Sequence, residues 1–169
     1  MKKITRHTFI LLAVATGGCV STSEITRWMQ PEKQIEVGDV RRSQQCGTQD
    51  AAAHIRLLPD VAALKTWEQS REVTLSAGEP ALPRGPFALV ELGRRGTAGY
   101  GVAVSRHASR HGEVLTLKGT FIAPPPGREL AQVDSAPCVL VSLPPRDYQA
   151  IEIVDQTGEV RATSIDERP

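Results

Sequence analysis

Aromatic side chains are scarce in this chain. Phe, Trp and Tyr together make up 4 % of its 169 residues, too few to build the stacking platforms that bind bases. Charge of one sign is lacking too. Twenty Lys and Arg stand against nineteen Asp and Glu, a formal net charge of +1, so no bulk field draws the protein to nucleic acid. No apolar run reaches the length of about twenty residues that a membrane-spanning helix needs. There are three cysteines and no CxxC, and the four histidines show no HExxH spacing. Ser105, beside Arg106 and His107, has no nucleophile-elbow pattern around it. No phosphate-binding loop and no pair of catalytic acids can be argued. These absences point to a chain that is not an enzyme and that needs neither cofactor nor metal.

What is present begins at the N-terminus. Lys2, Lys3 and Arg6 precede an apolar stretch from Thr8 to Thr16, which ends in Gly17-Gly18-Cys19. A basic start, a short apolar centre and small residues at the end are the layout of a secretory signal peptide. The cysteine directly after two glycines resembles the lipobox of bacterial lipoproteins, although Thr16 stands where that family prefers Leu, Val or Ile. The resemblance implies cleavage before Cys19 and acylation of its thiol, with palmitate-type chains holding the protein on a membrane. The alternative is an ordinary signal cut at a nearby small residue, with Cys19 incidental. Val20 after the cysteine is consistent with the outer membrane, facing the periplasm, by the family's sorting rules. Removing Lys2, Lys3 and Arg6 leaves seventeen basic residues against nineteen acidic ones, a formal charge of −2.

The expected organisation is a signal peptide over 1–18, a lipidated flexible tether over 19–34 and one domain over 35–169. A tether of roughly fifteen residues reaches about 20 Å. With Cys19 lipidated, Cys46 and Cys138 remain. Outside the cytoplasm two such thiols normally close into a disulfide; a metal or redox role is the alternative.

The domain reads as α+β, mostly β: an antiparallel sheet or small sandwich or barrel with one packed helix. Strands are expected at Ile35–Val37, Ala52–Leu58 (Ile55 and Leu57 on one face), Phe87–Leu92, Tyr100–Val104, Glu113–Phe121 and Cys138–Leu143. Gln149–Val154 and Glu159–Thr163 flank Gln156-Thr157-Gly158 as a hairpin. The total is roughly six to eight strands. Gln44–Thr48 and Ser109–Gly112 read as turns, the latter a solvated basic tip with Arg106, His107, Arg110 and His111. Asp60 is placed to cap a helix in which Val61, Leu64 and Trp67 face inward and Lys65 and Glu68 face out. Trp67 reads as a core anchor. The run Ala123–Gly127, with Pro124 to Pro126, cannot pair inside a sheet and reads as a stiff loop, with polyproline II docking as the alternative.

One segment carries a more specific signal. Val90-Glu91-Leu92-Gly93 leads into Arg94-Arg95-Gly96-Thr97-Ala98-Gly99-Tyr100-Gly101. A strand hairpin follows, then the triple proline, then Ala136-Pro137-Cys138-Val139 and a final apolar strand. This order resembles the C-terminal domain of the PrcB family, named for a lipoprotein component of a spirochaete protease complex. The likeness is strongest over 87–155. Gly93, Thr97, Gly99 and Tyr100 match the family's turn; Ala98 stands where Gly is usual, and Gly96 often reads Pro. The resemblance implies an accessory or stabilising subunit of a protease complex in the bacterial envelope.

Gly93, Gly96 and Gly99 permit positive φ and a close backbone approach, and Tyr100 starts the next strand. The segment Gly96, Thr97, Ala98, Gly99 and Tyr100 is therefore the candidate binding loop, with a tight inter-strand connection as the alternative. Thr97-Ala98-Gly99-Tyr100 also resembles, more faintly, the inhibitory loop of chagasin-type inhibitors of cysteine peptidases. The Asn-Pro that precedes it in that family is missing. The expectation is an exported, lipid-anchored domain that binds an envelope protein, with a peptidase inhibitor or a purely structural lipoprotein as rivals.

Overall fold

A computed structural model describes residues 33–145 and 148–165. The expected signal peptide, Cys19 and most of the expected tether lie outside the described residues.

The described chain contains ten strands and one helix. The strands are β1 (Lys33–Glu36), β2 (Gly38–Ser43), β3 (His54–Leu58), β4 (Phe87–Glu91), β5 (Gly101–Val104), β6 (His107–His111), β7 (Val114–Ile122), β8 (Cys138–Ser142), β9 (Ala150–Val154) and β10 (Val160–Ile165). The helix α1 spans Val61–Arg71. One sheet has the order β1-β6-β7-β9-β10, with β5 also paired to β7; the other has the order β2-β8-β4-β3. All pairings are antiparallel except β7 with β9, which run parallel because the chain visits the second sheet as β8 between them. The fold is α+β and mostly β. Of the forms expected, the sandwich is the one found, since neither sheet closes on itself.

Two apolar layers hold this arrangement. Ala88, Val90, Val139 and Val141 meet Leu115, Leu117, Ile151 and Ile153 between the sheets. Phe87, Leu89 and Leu140, on the opposite face of the second sheet, pack under Leu64 and Trp67 of α1. Side chains alternate across a strand, so β4 and β8 serve both layers, which is why both read as unbroken apolar runs. Ile55 and Leu57 join the first layer, while Leu58 joins the second.

Helix α1 starts where expected. The Asp60 Oδ1 accepts the Ala63 N–H at 2.8 Å, satisfying one of the helix's orphan donors. It ends at Glu72, which adopts the left-handed conformation at φ 55°. Glu68 departs from the expected outward position. It is buried, and its carboxylate accepts the N–H groups of Leu75 and Ser76 and, at 2.6 Å, the Ser76 hydroxyl. It thus serves the turn that follows the helix.

Cys46 and Cys138 form a disulfide with Cα atoms 6.0 Å apart. Both sit in the layer beneath α1. The bond ties the β2–β3 connection to the start of β8, and closing a loop of this size restricts the unfolded chain by about 4 kcal/mol.

The segment Ser109–Gly112, expected as a turn, is a correction. His107–His111 forms β6, and the chain reverses only around Gly112. The basic residues do not form a tip: Arg110 pairs in register with Lys33 and Leu115, and its guanidinium lies 5.9 Å from the Tyr148 ring centre. The buried residues of this strand are the adjacent Ala108 and Ser109, too small to announce a strand.

Candidate functional site

The loop between β4 and β5 is fixed from its base upward. Gly93 has φ +90°, and a Cβ there would lie 2.5 Å from the Ala51 carbonyl oxygen. The chain therefore passes another backbone more closely than any side chain allows. The Arg94 N–H donates to the Asp50 carbonyl at 2.7 Å. Asp50 is itself held in place, its carboxylate accepting the Ala52 N–H at 2.9 Å and lying 2.8 Å from His54 Nε2. The Ala52 N–H bond is the main reason the Asp50 carboxyl sits below its ordinary pKa, and His54 adds to it. Arg95 folds back under the loop, its guanidinium donating to the carbonyls of Ala51 at 2.7 Å and Leu92 at 2.8 Å. The same guanidinium lies 5.5 Å from the centre of the Tyr100 ring, within cation–π range.

The loop's other flank rests on the connection between β7 and β8. Arg95 and Ser135 exchange backbone hydrogen bonds of 2.7 and 2.8 Å, and the Ala98 N–H donates to the Ala131 carbonyl at 3.1 Å. The Ser135 hydroxyl donates to the Thr97 carbonyl at 3.4 Å, so Thr97 joins the scaffold through its backbone. Arg94 reaches Asp134 at 2.6 Å. Gly99 has φ +93°, and a Cβ there would lie 3.1 Å from Pro124. The triple proline thus backs the loop as a rigid support. Gly96 does not use a positive φ; of the three glycines, only Gly93 and Gly99 need their freedom.

A groove of about 490 Å³ opens beside this loop. Ala98, Gly99 and Tyr100 form one wall. Arg42 and Ser43 at the end of β2 form another, and Gly101 and Val102 of β5 run along it. Ile122 and Val133 also line it. These are two of the three large apolar side chains most exposed among the described residues, at 48 % and 55 %. Arg42 is the sole charged side chain in the lining.

The structure brings together Ala98, Gly99 and Tyr100 of the candidate loop. Gly96 and Thr97 belong to its stem and do not line the groove. Cys138 contributes to the groove's lining, a link between disulfide and loop that the sequence did not suggest. Arg42, Ile122 and Val133 were not singled out from sequence. Each looks like an ordinary surface or strand residue until the two sheets are placed face to face. Among the described residues no cluster of His, Cys, Asp and Glu is arranged to hold a metal ion.

Residues 87–144 match the family model described as PrcB C-terminal. The match runs from β4, through the loop and the hairpin, to the end of β8. It covers less than half of the chain, and this part is a PrcB-like domain segment. No curated protein and no solved structure matches the chain.

Proposed function

We propose that this protein is a non-enzymatic, lipid-anchored binding domain of the bacterial envelope that holds a protein partner in the groove beside Tyr100. One observation carries the reading. A loop braced on both flanks borders a groove where two of the most exposed apolar side chains gather. Apolar surface left open beside a rigid loop marks an interaction site. The PrcB-like segment supports an accessory role in a protease complex and makes a protease subunit the first partner to test. The lipobox-like sequence ending at Cys19 supports anchoring at the outer membrane.

The test is crosslinking of the full chain in its native cells, compared with Tyr100→Ala. Recovery of one envelope protein, lost at least tenfold in the variant, supports the reading. A partner recovered equally with Tyr100→Ala moves the interface away from the loop. Titration against papain-like peptidases addresses the chagasin-like alternative, which predicts stoichiometric inhibition.

A further inference from the structure

The groove lies where a strand is missing. β5 and β6 run in line along one edge of β7, with Val104 opposite Gly119 and Ser109 opposite Thr116. β1 covers the outer edge of β6 from Lys33↔Arg110 to Glu36↔His107. The Val37 N–H then donates to the Arg106 carbonyl at 2.8 Å. At the next residue the chain leaves this sheet, and Gly38 pairs with Ser142 of the second sheet as β2 begins. Had it continued straight, it would have run beside β5. The groove, bordered by Gly101 and Val102 of β5 and by the far end of β2, occupies that place.

The backbone of β5 is set to receive a strand there. The Ser105 N–H donates to the Lys118 carbonyl at 2.8 Å, continuing the register in which Val104 faces Gly119. Hydrogen-bonded pairs alternate along an antiparallel ladder. Ala103 and Gly101 therefore bond β7, whereas the N–H and C=O groups of Val102 and Val104 point away from it, towards the open edge. β7 is the one strand that β5 pairs with among the described residues, and neither residue bonds a loop backbone. An unpaired row of this kind is a template for strand addition.

We infer that the partner enters as an extended peptide segment that adds a strand to the open edge of β5, an inference that rests on the binding role proposed above. The surroundings specify its chemistry. β5 has four residues, room for about 14 Å of extended chain. Ile122 and Val133 offer an apolar side chain a place to lie. Arg42 engages Asp39 through Nε and Nη2, which leaves Nη1 for a carboxylate of the peptide. The segment is thus a short extended stretch with an apolar residue and an acidic group.

The experiment uses the full chain, purified in mild detergent, and an unbiased library of displayed twelve-residue peptides. Selected peptides are synthesised and titrated by fluorescence anisotropy. N-methylation is then placed at each peptide position in turn, and amide exchange of the protein is measured with and without peptide. Strand addition predicts that methylation at alternate positions weakens binding at least tenfold, while the positions between tolerate it. It also predicts that Val102 and Val104 amides exchange quickly in the free chain and at least tenfold more slowly in the complex. Arg42→Glu should weaken acidic peptides at least fivefold.

Binding that is lost in Tyr100→Ala but indifferent to N-methylation overturns strand addition and leaves the groove as the site. Peptides indifferent to both changes overturn this inference and count against the groove itself. Recovery of no groove-dependent peptide, or Val102 and Val104 amides already protected in the free chain, also overturns strand addition.

Discussion

Gly99 and Gly96 stand three residues apart in one loop, yet their physics differ. Gly99 has φ +93° and would press a Cβ to 3.1 Å from Pro124. Gly96 has no positive φ, and the nearest atom to a Cβ there is 3.9 Å away, on the Asp134 side chain. A residue with a side chain is strained in the left-handed region, by an order of 1–3 kcal/mol. Gly99→Ala should therefore destabilise the protein by about 1–3 kcal/mol in urea unfolding, and Gly96→Ala should stay within about 0.5 kcal/mol of the parent. Equal effects at the two positions would show that the loop is not braced by Pro124. At this scale the sequence was partly legible. Three glycines in seven residues announced a demanding turn, but spacing alone does not tell which of them carries positive φ, because the Pro124 and Ala51 approaches come from distant segments. Tyr100 was visible for the same reason as Gly99, whereas Arg95, whose guanidinium ties the loop to Ala51 and Leu92, looked like one more surface cation.

Among the elements, the β9–β10 hairpin shows how a single turn residue secures two strands. Asp155 Oδ1 accepts the N–H groups of Thr157 at 2.8 Å and Glu159 at 3.1 Å and the Thr157 hydroxyl at 2.6 Å. The Thr157 hydroxyl is the main cause holding the Asp155 carboxyl below the ordinary value of 3.8. A carboxyl with a lowered folded pKa adds stability that is complete above its unfolded value and disappears as pH falls through the folded value. Asp155→Asn keeps an acceptor oxygen but cannot titrate. Between pH 6 and pH 3 the variant should lose less stability than the parent in urea titrations; parallel losses would remove Asp155 from the acid response. Elements with strong local signals were readable. The turn at Gln156-Thr157-Gly158, the apolar runs of β4 and β8 and the Asp60 cap were all visible. β2 (Gly38–Ser43) and β6 (His107–His111) were not. β2 is an edge strand that pairs only with β8, and β6 is polar with Ala108 and Ser109 as its buried residues. Neither shows the apolar alternation from which a strand is read. Missing these two strands hid the groove beside the loop, because it exists only where β1 leaves β6 for the second sheet.

For the whole molecule, the proposed function requires something to keep the domain at a membrane. Without the proposed signal the chain has a formal charge of −2 from its sequence, so attraction to anionic headgroups is not the cause. On the proposed reading, attachment comes from acyl chains at Cys19. Each buried methylene contributes about 0.8 kcal/mol, and two or more chains hold a protein stably where one gives only reversible binding. The proposed anchor would then be a near all-or-none property of one thiol. In cell fractionation, Cys19→Ser should move the protein from the membrane pellet to the soluble fraction, or leave it as uncut precursor with a higher mass. The groove, which lies in the described domain and includes no part of the signal, should still bind the same partner in the released form. A Cys19→Ser protein that is correctly cut and remains fully membrane-bound would refute the lipid anchor. If that binding also vanished on Tyr100→Ala, the protein partner itself would be the anchor, and the groove would account for both recognition and location.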